Sequence, residues 1–275
     1  METTLAVPTT ETKRGRFEVV DRGEGTPLVL VHGFPFAAES WSGEADALSA
    51  KMRVLAPSMR GFGATPRPDL GEPQLSMDPM ADDVAAILDA RGVTEPVVLG
   101  GLSMGGYVAL AFARRHPQRL RALILADTRA EPDSAEGRAN RDRGIARVEG
   151  GDLAGFASDL LPALLAPETL ASRPDLVARV RAMAMRAAPS SVSAMLRALR
   201  DRPDARPGLA SISVPALVMV GAEDALTPVT ASRAMVEALP AERASLEILP
   251  HAGHLSNLEA PAAFQAAIAA FVARV

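Results

Sequence analysis

Short apolar runs without polar alternation recur along the chain, each bounded by glycine, proline, aspartate or serine. They cover residues 28–31, 54–56, 97–99, 123–126 and 216–220. Runs of this kind are typical of strands buried on both faces of a parallel sheet. Segments with helical spacing lie between several of them, as at residues 80–90 and 104–116. Strand and helix alternate, which predicts a doubly wound, mostly parallel α/β sheet flanked by helices. Outer strands are expected at Gly15–Arg22 and Ala244–Leu249.

This alternation stops between residues 128 and 207, where Ala, Leu, Arg and Met follow helical spacing. We expect a helical cap at residues 129–207, inserted in a core domain formed by residues 15–128 and 208–275. Two apolar faces are expected, and either they pack as ordinary core or they form a lid whose flexible methionines line an apolar pocket. One face contains Leu160, Leu161, Leu164 and Leu165, and the other contains Met183, Met185, Met195 and Leu196.

The amino-acid composition and the net charge argue against several classes of function. The 275 residues are 48% hydrophobic and 23% charged, which is ordinary for a globular protein. A net charge of -4 gives no attraction to nucleic acid or to anionic membranes, so a small-molecule substrate is expected. The absence of cysteine excludes disulfides, thiolate metal sites and a cysteine nucleophile. No signal-peptide pattern and no apolar run of about 20 residues is present, which favours a cytoplasmic protein, and homo-oligomerisation stays open.

The sharpest local motif is Gly-Leu-Ser-Met-Gly at residues 101–105, between an apolar run and a helical pattern. A strand, a tight turn with small flanking residues and a helix are typical of a nucleophile elbow. Ser103 would then project over the carboxyl edge of the sheet, where open α/β sheets bind ligands. The alternative is a glycine-rich turn that only lets the helix pack closely on the sheet.

A serine hydroxyl needs a general base within hydrogen-bond reach. Of the four histidines, His254 is the better candidate, since it lies in a loop before Ser256-x-x-Glu259, which has the pattern of a capping box. His251 remains the alternative base. The spacing of the two histidines is too little for a metal site without further ligands.

The base also needs an acid to orient it. Asp224 follows the apolar run 216–220, at the carboxyl end of a predicted strand. Glu223 and Asp127 compete, since Asp127 ends another predicted strand. Acids at such positions often cap helices, but Thr227 is expected to cap the next helix here.

The tetrahedral intermediate needs an oxyanion hole, which backbone amides can supply. One donor would be the N–H of Met104, at the start of the helix after Ser103, where the helix dipole favours negative charge. The other would be the N–H of Phe34, in the His-Gly-Phe-Pro stretch after the run 28–31. The alternative for this stretch is a simple turn at the end of a strand.

Five short motifs follow one another along the chain in the order that is typical of one protein family. They lie at residues 32–35, 60–63, 101–105, 221–224 and 253–254. Over about residues 15–275 the chain resembles the α/β-hydrolase superfamily. Within it, the chain is most similar to small bacterial carboxylesterases and 3-oxoadipate enol-lactonase-type enzymes, which carry a helical cap. Ser58 departs from the pattern, because similar sequences commonly have aspartate there. The resemblance implies a Ser103, Asp224, His254 triad without metal or cofactor, and an acyl-enzyme formed from a carboxylic ester or lactone.

Other chemistries of the fold fit less well. Epoxide hydrolases and haloalkane dehalogenases use an aspartate nucleophile, and the former also use cap tyrosines, whereas the one tyrosine here is Tyr107. Plant-type hydroxynitrile lyases use a lysine near the acid, and no lysine follows Lys51. A cofactor-free perhydrolase or haloperoxidase-like enzyme, a lyase, or a slow-turnover ligand receptor stays open.

For the substrate we expect a small or medium apolar acyl group and water as the second reactant. Leu226 and Leu255, which flank the acid and the base, are candidate binding residues. Arg129 is a third candidate, because it could meet a substrate carboxylate; a surface position is the alternative for it.

Overall fold

The computed structural model describes residues 8–67 and 75–275. Within these residues eight strands form one sheet in the order β1-β2-β4-β3-β5-β6-β7-β8. Strands β1 and β2 pair antiparallel, as do β2 and β4, and every other pair is parallel. The strands are β1 (Thr9–Thr12), β2 (Gly15–Arg22), β3 (Pro27–Val31), β4 (Arg53–Pro57), β5 (Val97–Leu102), β6 (Leu120–Ala126), β7 (Ala216–Gly221) and β8 (Ala244–Leu249). The predicted doubly wound, mostly parallel sheet is confirmed.

Helices cover both faces of this sheet. In the described residues they are α1 (Ser42–Leu48), α2 (Met77–Ala90), α3 (Met104–Arg115), α4 (Ala135–Glu149), α5 (Leu153–Leu164), α6 (Pro167–Ser172), α7 (Pro174–Ala184), α8 (Pro189–Arg200), α9 (Val229–Ala238), α10 (Ser256–Glu259) and α11 (Pro261–Val272). Helices α4 to α8, called the inserted helices below, follow one another between β6 and β7. They occupy the stretch where the sequence predicts helices and no strand.

The apolar runs divide their side chains between two cores. Along β3, Leu28 and Leu30 face the core that contains Phe264 of α11. Val29 and Val31 face the opposite core, which contains Phe112 of α3. Side chains alternate across a strand, so an uninterrupted apolar run is what a sheet covered on both sides requires. Full burial of each such side chain stabilises the fold by about 1.5–3 kcal/mol.

The parallel strands align their carboxyl ends at one edge of the sheet. Leu102 at the end of β5 is in register with Ala126 at the end of β6, and Gly221 at the end of β7 with Leu249 at the end of β8. Residues that follow these four strands therefore start from the same edge, as in other open α/β sheets that bind ligands there.

Two predicted helix caps are wrong. Ser256 and Glu259 do not cap each other, because the Ser256 hydroxyl donates to Asp127 and the Glu259 carboxylate accepts the N–H groups of Gly253 and Ala166, each at 2.8 Å. Thr227 does not cap α9, whose N-cap is Pro228. Buried positions of this kind use their polar side chains for tertiary contacts, since no water competes for them.

Candidate active site

Ser103 sits in the sharp turn between β5 and α3, with a left-handed backbone of φ 53° and ψ -112°. Only glycine fits at two flanking positions. A Cβ on Gly101 would lie 2.1 Å from the Gly105 carbonyl oxygen, and one on Gly105 would lie 2.0 Å from the Val31 carbonyl oxygen. A left-handed non-glycine residue stores strain, which is common at functional sites. The tight turn lifts the Ser103 side chain above the sheet edge.

A chain of hydrogen bonds runs from this serine to an acid. His254 Nε2 lies 2.8 Å from Ser103 Oγ, and His254 Nδ1 lies 2.8 Å from Asp224 Oδ2. The imidazole and the carboxylate are buried. Such an arrangement can take a proton from the serine and hold the resulting imidazolium against a carboxylate.

The alternative residues named from the sequence lie elsewhere. Asp127 contacts the Gly221 N–H and the Ser256 hydroxyl. His251 has a side chain that is 78% exposed, and its ring lies 3.4 Å from Glu168. Glu223 is exposed.

The Asp224 carboxylate is held by four donors. Its Oδ1 accepts the N–H groups of Leu226 and Thr227 at 2.8 and 2.9 Å, while its Oδ2 accepts the Thr227 hydroxyl at 2.6 Å and faces His254. Burial favours a higher pKa, but the charge of His254 and the hydrogen bonds from His254 and Thr227 outweigh it and hold the Asp224 pKa below its usual range. Asp224 is thus an anion in a fixed orientation.

The pKa of His254 is shifted the other way. Burial favours a lower pKa, but the charge and hydrogen bond of Asp224 outweigh it, so the His254 pKa lies above 6.5. An unperturbed histidine has a pKa near 6.5. The rise means that the imidazolium formed during proton transfer is stabilised.

The two predicted oxyanion donors flank the serine. Met104 begins α3, and Phe34 follows β3 in a loop so close that a Cβ on Gly33 would lie 3.5 Å from Ser103 Cβ. Among residues 8–67 and 75–275, neither the Met104 N–H nor the Phe34 N–H donates to a protein acceptor. Both are therefore available to an oxygen bound beside Ser103.

A cavity of about 480 Å³ opens over Ser103 and His254. Its apolar wall comes from Phe34 in the core and from the inserted helices, with Phe156, Leu160, Leu164, Leu196 and Leu199. Leu226, which is 39% exposed, also lines it, whereas Leu255 is buried outside the lining and donates its N–H to the Leu164 carbonyl. Met183, Met185 and Met195, which the sequence suggested as possible pocket residues, do not line this cavity. Met183 and Met195 pack in the two cores, and Met185 is exposed.

Part of the cavity lining, called the charged wall below, is formed by charged residues. Arg129 and Arg141 line it together with Asp133, whose buried carboxylate accepts Arg129 Nη2 at 2.8 Å and Arg141 Nε at 3.1 Å. Arg202 Nη1 donates to the same carboxylate at 2.6 Å, and its guanidinium lies 4.3 Å from the Tyr107 ring centroid. The sequence pointed to Arg129 alone. Asp133 and Arg141 lie in a polar stretch with no motif, so no local signal marked them.

No group of His, Cys, Asp or Glu that could hold a metal ion occurs in the described part of the chain. None of the helices in residues 8–67 and 75–275 is long and apolar enough to cross a membrane.

Several known proteins with related sequences and structures are esterases or lactonases. A pimeloyl-[acyl-carrier protein] methyl ester esterase from Aeromonas hydrophila is 33% identical, with 91% of this chain and 96% of that protein covered. The 3-oxoadipate enol-lactonase 2 of Acinetobacter baylyi is 29% identical, with 85% and 84% covered. A thermophilic esterase from Thermogutta terrifontis, solved with malate bound, is 37% identical and superposes with a TM-score of 0.90 over 97% of this chain and 98% of that one. The family model for the alpha/beta hydrolase fold matches residues 26–261. The chain belongs to the α/β-hydrolase fold family.

Proposed function

We propose that this carboxylic ester hydrolase cleaves esters or lactones with Ser103 as nucleophile, His254 as general base and Asp224 as the acid that orients the histidine. The observation that carries the proposal is the unbroken chain of two 2.8 Å contacts from Ser103 Oγ through His254 to Asp224. Esterase and enol-lactonase relatives support ester chemistry.

In the proposed reaction, Ser103 Oγ attacks the carbonyl carbon while His254 Nε2 takes the hydroxyl proton. The oxyanion accepts the N–H groups of Phe34 and Met104, each worth about 3–4 kcal/mol in such sites. Collapse of the intermediate releases the alcohol, which takes the proton from His254, and leaves an acyl group on Ser103. Water, deprotonated by His254, then attacks this acyl group, and the acid is released with Ser103 restored.

Residues 129–207 act in this proposal as a cap on a core built from residues 15–128 and 208–275. The inserted helices supply Phe156 and Leu160 to the apolar wall of the cavity, where the Phe156 ring centroid lies 6.3 Å from that of the core residue Phe34. A wall of this kind excludes water from the reacting carbonyl and contacts the acyl or alcohol group.

The substrate in this proposal carries a carboxylate that Arg129 and Arg141 bind. Three guanidinium groups, of Arg129, Arg141 and the buried Arg202, share the single carboxylate of Asp133, so Asp133 alone does not neutralise the two arginines of the charged wall. The buried Arg129 Nε has no hydrogen-bond partner among the described residues. The Arg129 charge also acts to lower the His254 pKa, so it lies close to the reacting centre. The Thermogutta esterase was solved with a dicarboxylate, malate, bound, which supports a ligand that carries a carboxylate.

The nucleophile is tested by Ser103→Ala with p-nitrophenyl acetate and a fluorophosphonate probe. We expect turnover to fall by at least about 10⁴ and labelling to vanish, since a serine nucleophile is required for both. Ser158→Ala is the matched control and should be unchanged, because Ser158 is a half-buried serine of α5 whose hydroxyl donates to the Ala154 carbonyl. Substantial turnover by Ser103→Ala would contradict the proposal. Labelling of Ser103 without turnover of any ester or lactone would indicate a lyase, a perhydrolase or a ligand receptor.

The charge preference is tested with two p-nitrophenyl esters of equal length, the butyrate and the monosuccinate. We expect kcat/KM for the monosuccinate to drop about ten- to a hundredfold in Arg129→Gln and Arg141→Gln, the loss of one charge-assisted hydrogen bond, while the butyrate changes little. Arg138→Gln, in an exposed pair with Asp201, is the control. Equal loss for both esters would show that the arginines only support the fold.

A further inference from the structure

Three consecutive residues at the carboxyl end of β6, Ala126, Asp127 and Thr128, contact every segment that carries a proposed triad residue. The Ala126 carbonyl accepts the Ser103 N–H at 2.9 Å. The Thr128 hydroxyl donates to the Ser103 carbonyl at 2.8 Å. Asp127, between them, points its side chain to the other two segments. Residues 126–128 thus lie at the centre of the site, although none of the three touches the proposed reacting atoms.

The Asp127 carboxyl group spans the acid and base segments. Its Oδ1 accepts the Gly221 N–H at 2.8 Å, three residues before Asp224, and its Oδ2 accepts the hydroxyl of Ser256, two residues after His254. The side chain is fully buried. The backbone of Asp127 is left-handed, with φ 46°, and its N–H donates to the Met219 carbonyl at 2.9 Å. Burying a polar side chain and straining its backbone both cost free energy, and such residues are typical of positions where a specific set of hydrogen bonds is needed.

We propose that Asp127 is a positioning residue that sets the separation of Asp224 and His254, and that it does so as a neutral carboxylic acid. This inference rests on the proposed triad. A neutral carboxyl group has one carbonyl oxygen, which accepts the Gly221 N–H, and one hydroxyl, which donates to Ser256 Oγ. The serine hydroxyl can accept as well as donate, so the Asp127–Ser256 contact is kept with its direction reversed, and both segments are fixed without a second anion beside Asp224.

The surrounding charges agree with a neutral Asp127. Burial and the negative charge of Asp224 raise the Asp127 pKa to about 8, against the smaller opposing effects of the His254 charge and of the hydrogen bonds from Ser256 and Gly221. This upward direction favours the protonated, neutral form of Asp127 that the inference requires. Asparagine has the same shape and the same pair of functions, one acceptor and one donor, whereas alanine has neither.

The test compares Asp127→Asn and Asp127→Ala in the full-length enzyme, by kcat and KM for p-nitrophenyl acetate from pH 5 to pH 10. We expect Asp127→Asn to keep kcat at pH 7 within about threefold, and Asp127→Ala to lose about ten- to a hundredfold in kcat with little change in KM, since misplaced catalytic groups affect the chemical step. In the wild type, kcat should fall above about pH 8 as Asp127 ionises beside Asp224, whereas Asp127→Asn should keep its plateau.

If Asp127→Ala does not fold, Ser256→Ala removes the same hydrogen bond from the other side and should reduce kcat about tenfold with KM unchanged. A loss above tenfold in Asp127→Asn at pH 7, full kcat in Asp127→Ala or Ser256→Ala, or an alkaline limb common to wild type and Asp127→Asn would overturn the inference. Failure of the triad itself has a different signature, since Ser103→Ala would then remain active whatever residue 127 is.

Discussion

Replacing Asp224 by asparagine tests whether the geometry of this acid controls the proton on His254. The structure decides which way the new amide points. Oδ1 accepts two backbone N–H groups, from Leu226 and Thr227, whereas Oδ2 faces the Thr227 hydroxyl and His254. A hydroxyl can rotate to accept, but a backbone N–H cannot. The amide oxygen must therefore take the Oδ1 position, and the amide NH₂ then faces His254 Nδ1.

The opposite orientation would leave two backbone N–H groups against an NH₂ group, at a cost of about 1–3 kcal/mol for each unsatisfied donor. With NH₂ facing it, Nδ1 of His254 accepts, so its proton moves to Nε2, which points at Ser103 Oγ. This tautomer cannot take the serine proton. A wrong tautomer of this kind lowers kcat by about 10⁴, or about 5 kcal/mol of activation free energy.

The assay is kcat/KM for p-nitrophenyl acetate at pH 7 together with active-site titration by a fluorophosphonate and a thermal denaturation midpoint. The matched control is Asp127→Asn, because it makes the same chemical change at a second buried carboxyl group that does not contact His254. A loss of less than about a hundredfold in Asp224→Asn, or an equal loss in the two variants, would refute the reasoning from the hydrogen-bond pattern.

Three further outcomes are expected. The acid limb of the kcat/KM profile should have a midpoint above 6.5, because activity is lost as His254 is protonated and Asp224 raises its pKa; a profile flat to pH 4 would contradict this. Burial raises the pKa of Glu44 to about 7, so the folded state loses stability as the pH rises from about 4.5 to 7 and the buried carboxyl group ionises. Glu44→Gln removes this ionisation, so its unfolding free energy should exceed that of the wild type by up to about 3 kcal/mol at pH 8 and by almost nothing at pH 4. Asp133→Ala leaves the buried Arg202 without its carboxylate and should lower that free energy by about 3–5 kcal/mol in urea titrations, whereas an unchanged midpoint would show that the ion pair is dispensable.

The sheet could be predicted because a strand covered on both faces needs an uninterrupted apolar run. β1 was missed for the same reason, since Thr9–Thr12 contains no apolar residue and pairs only at the sheet edge. Ser103 was recognisable because its strained turn demands nearby glycines. The sequence favoured Asp224 but left Asp127 as a competitor, since both follow parallel strands and their contacts depend on how distant loops fold back.

The substitution at Ser58 illustrates a second limit. Similar sequences commonly have an aspartate there, and the residues around Ser58 in the sequence do not show what takes the place of its charge. In the structure the Ser58 hydroxyl donates to Glu18 at 2.6 Å, so a carboxylate from β2 lies beside the position. Arg60 pairs with Asp83 of α2. A carboxylate supplied by a residue 40 positions away in the chain cannot be recognised from the local sequence around Ser58.

The contacts of Glu259 have a consequence for engineering. This one carboxylate accepts the N–H of Gly253, next to His254, and the N–H of Ala166 in the inserted segment, while Arg173 donates to the Glu259 carbonyl at 2.7 Å. The loop that contains His254 and the segment around α6 are therefore held together by hydrogen bonds to a single residue, Glu259. A chimaera that exchanges residues 129–207 for those of a relative would separate this loop from the segment that it is bonded to. Transplanting residues 250–260 together with residues 129–207 would keep the contacts of Glu259 within the transferred segments. We therefore expect substrate range to be transferable between relatives when both segments are exchanged together.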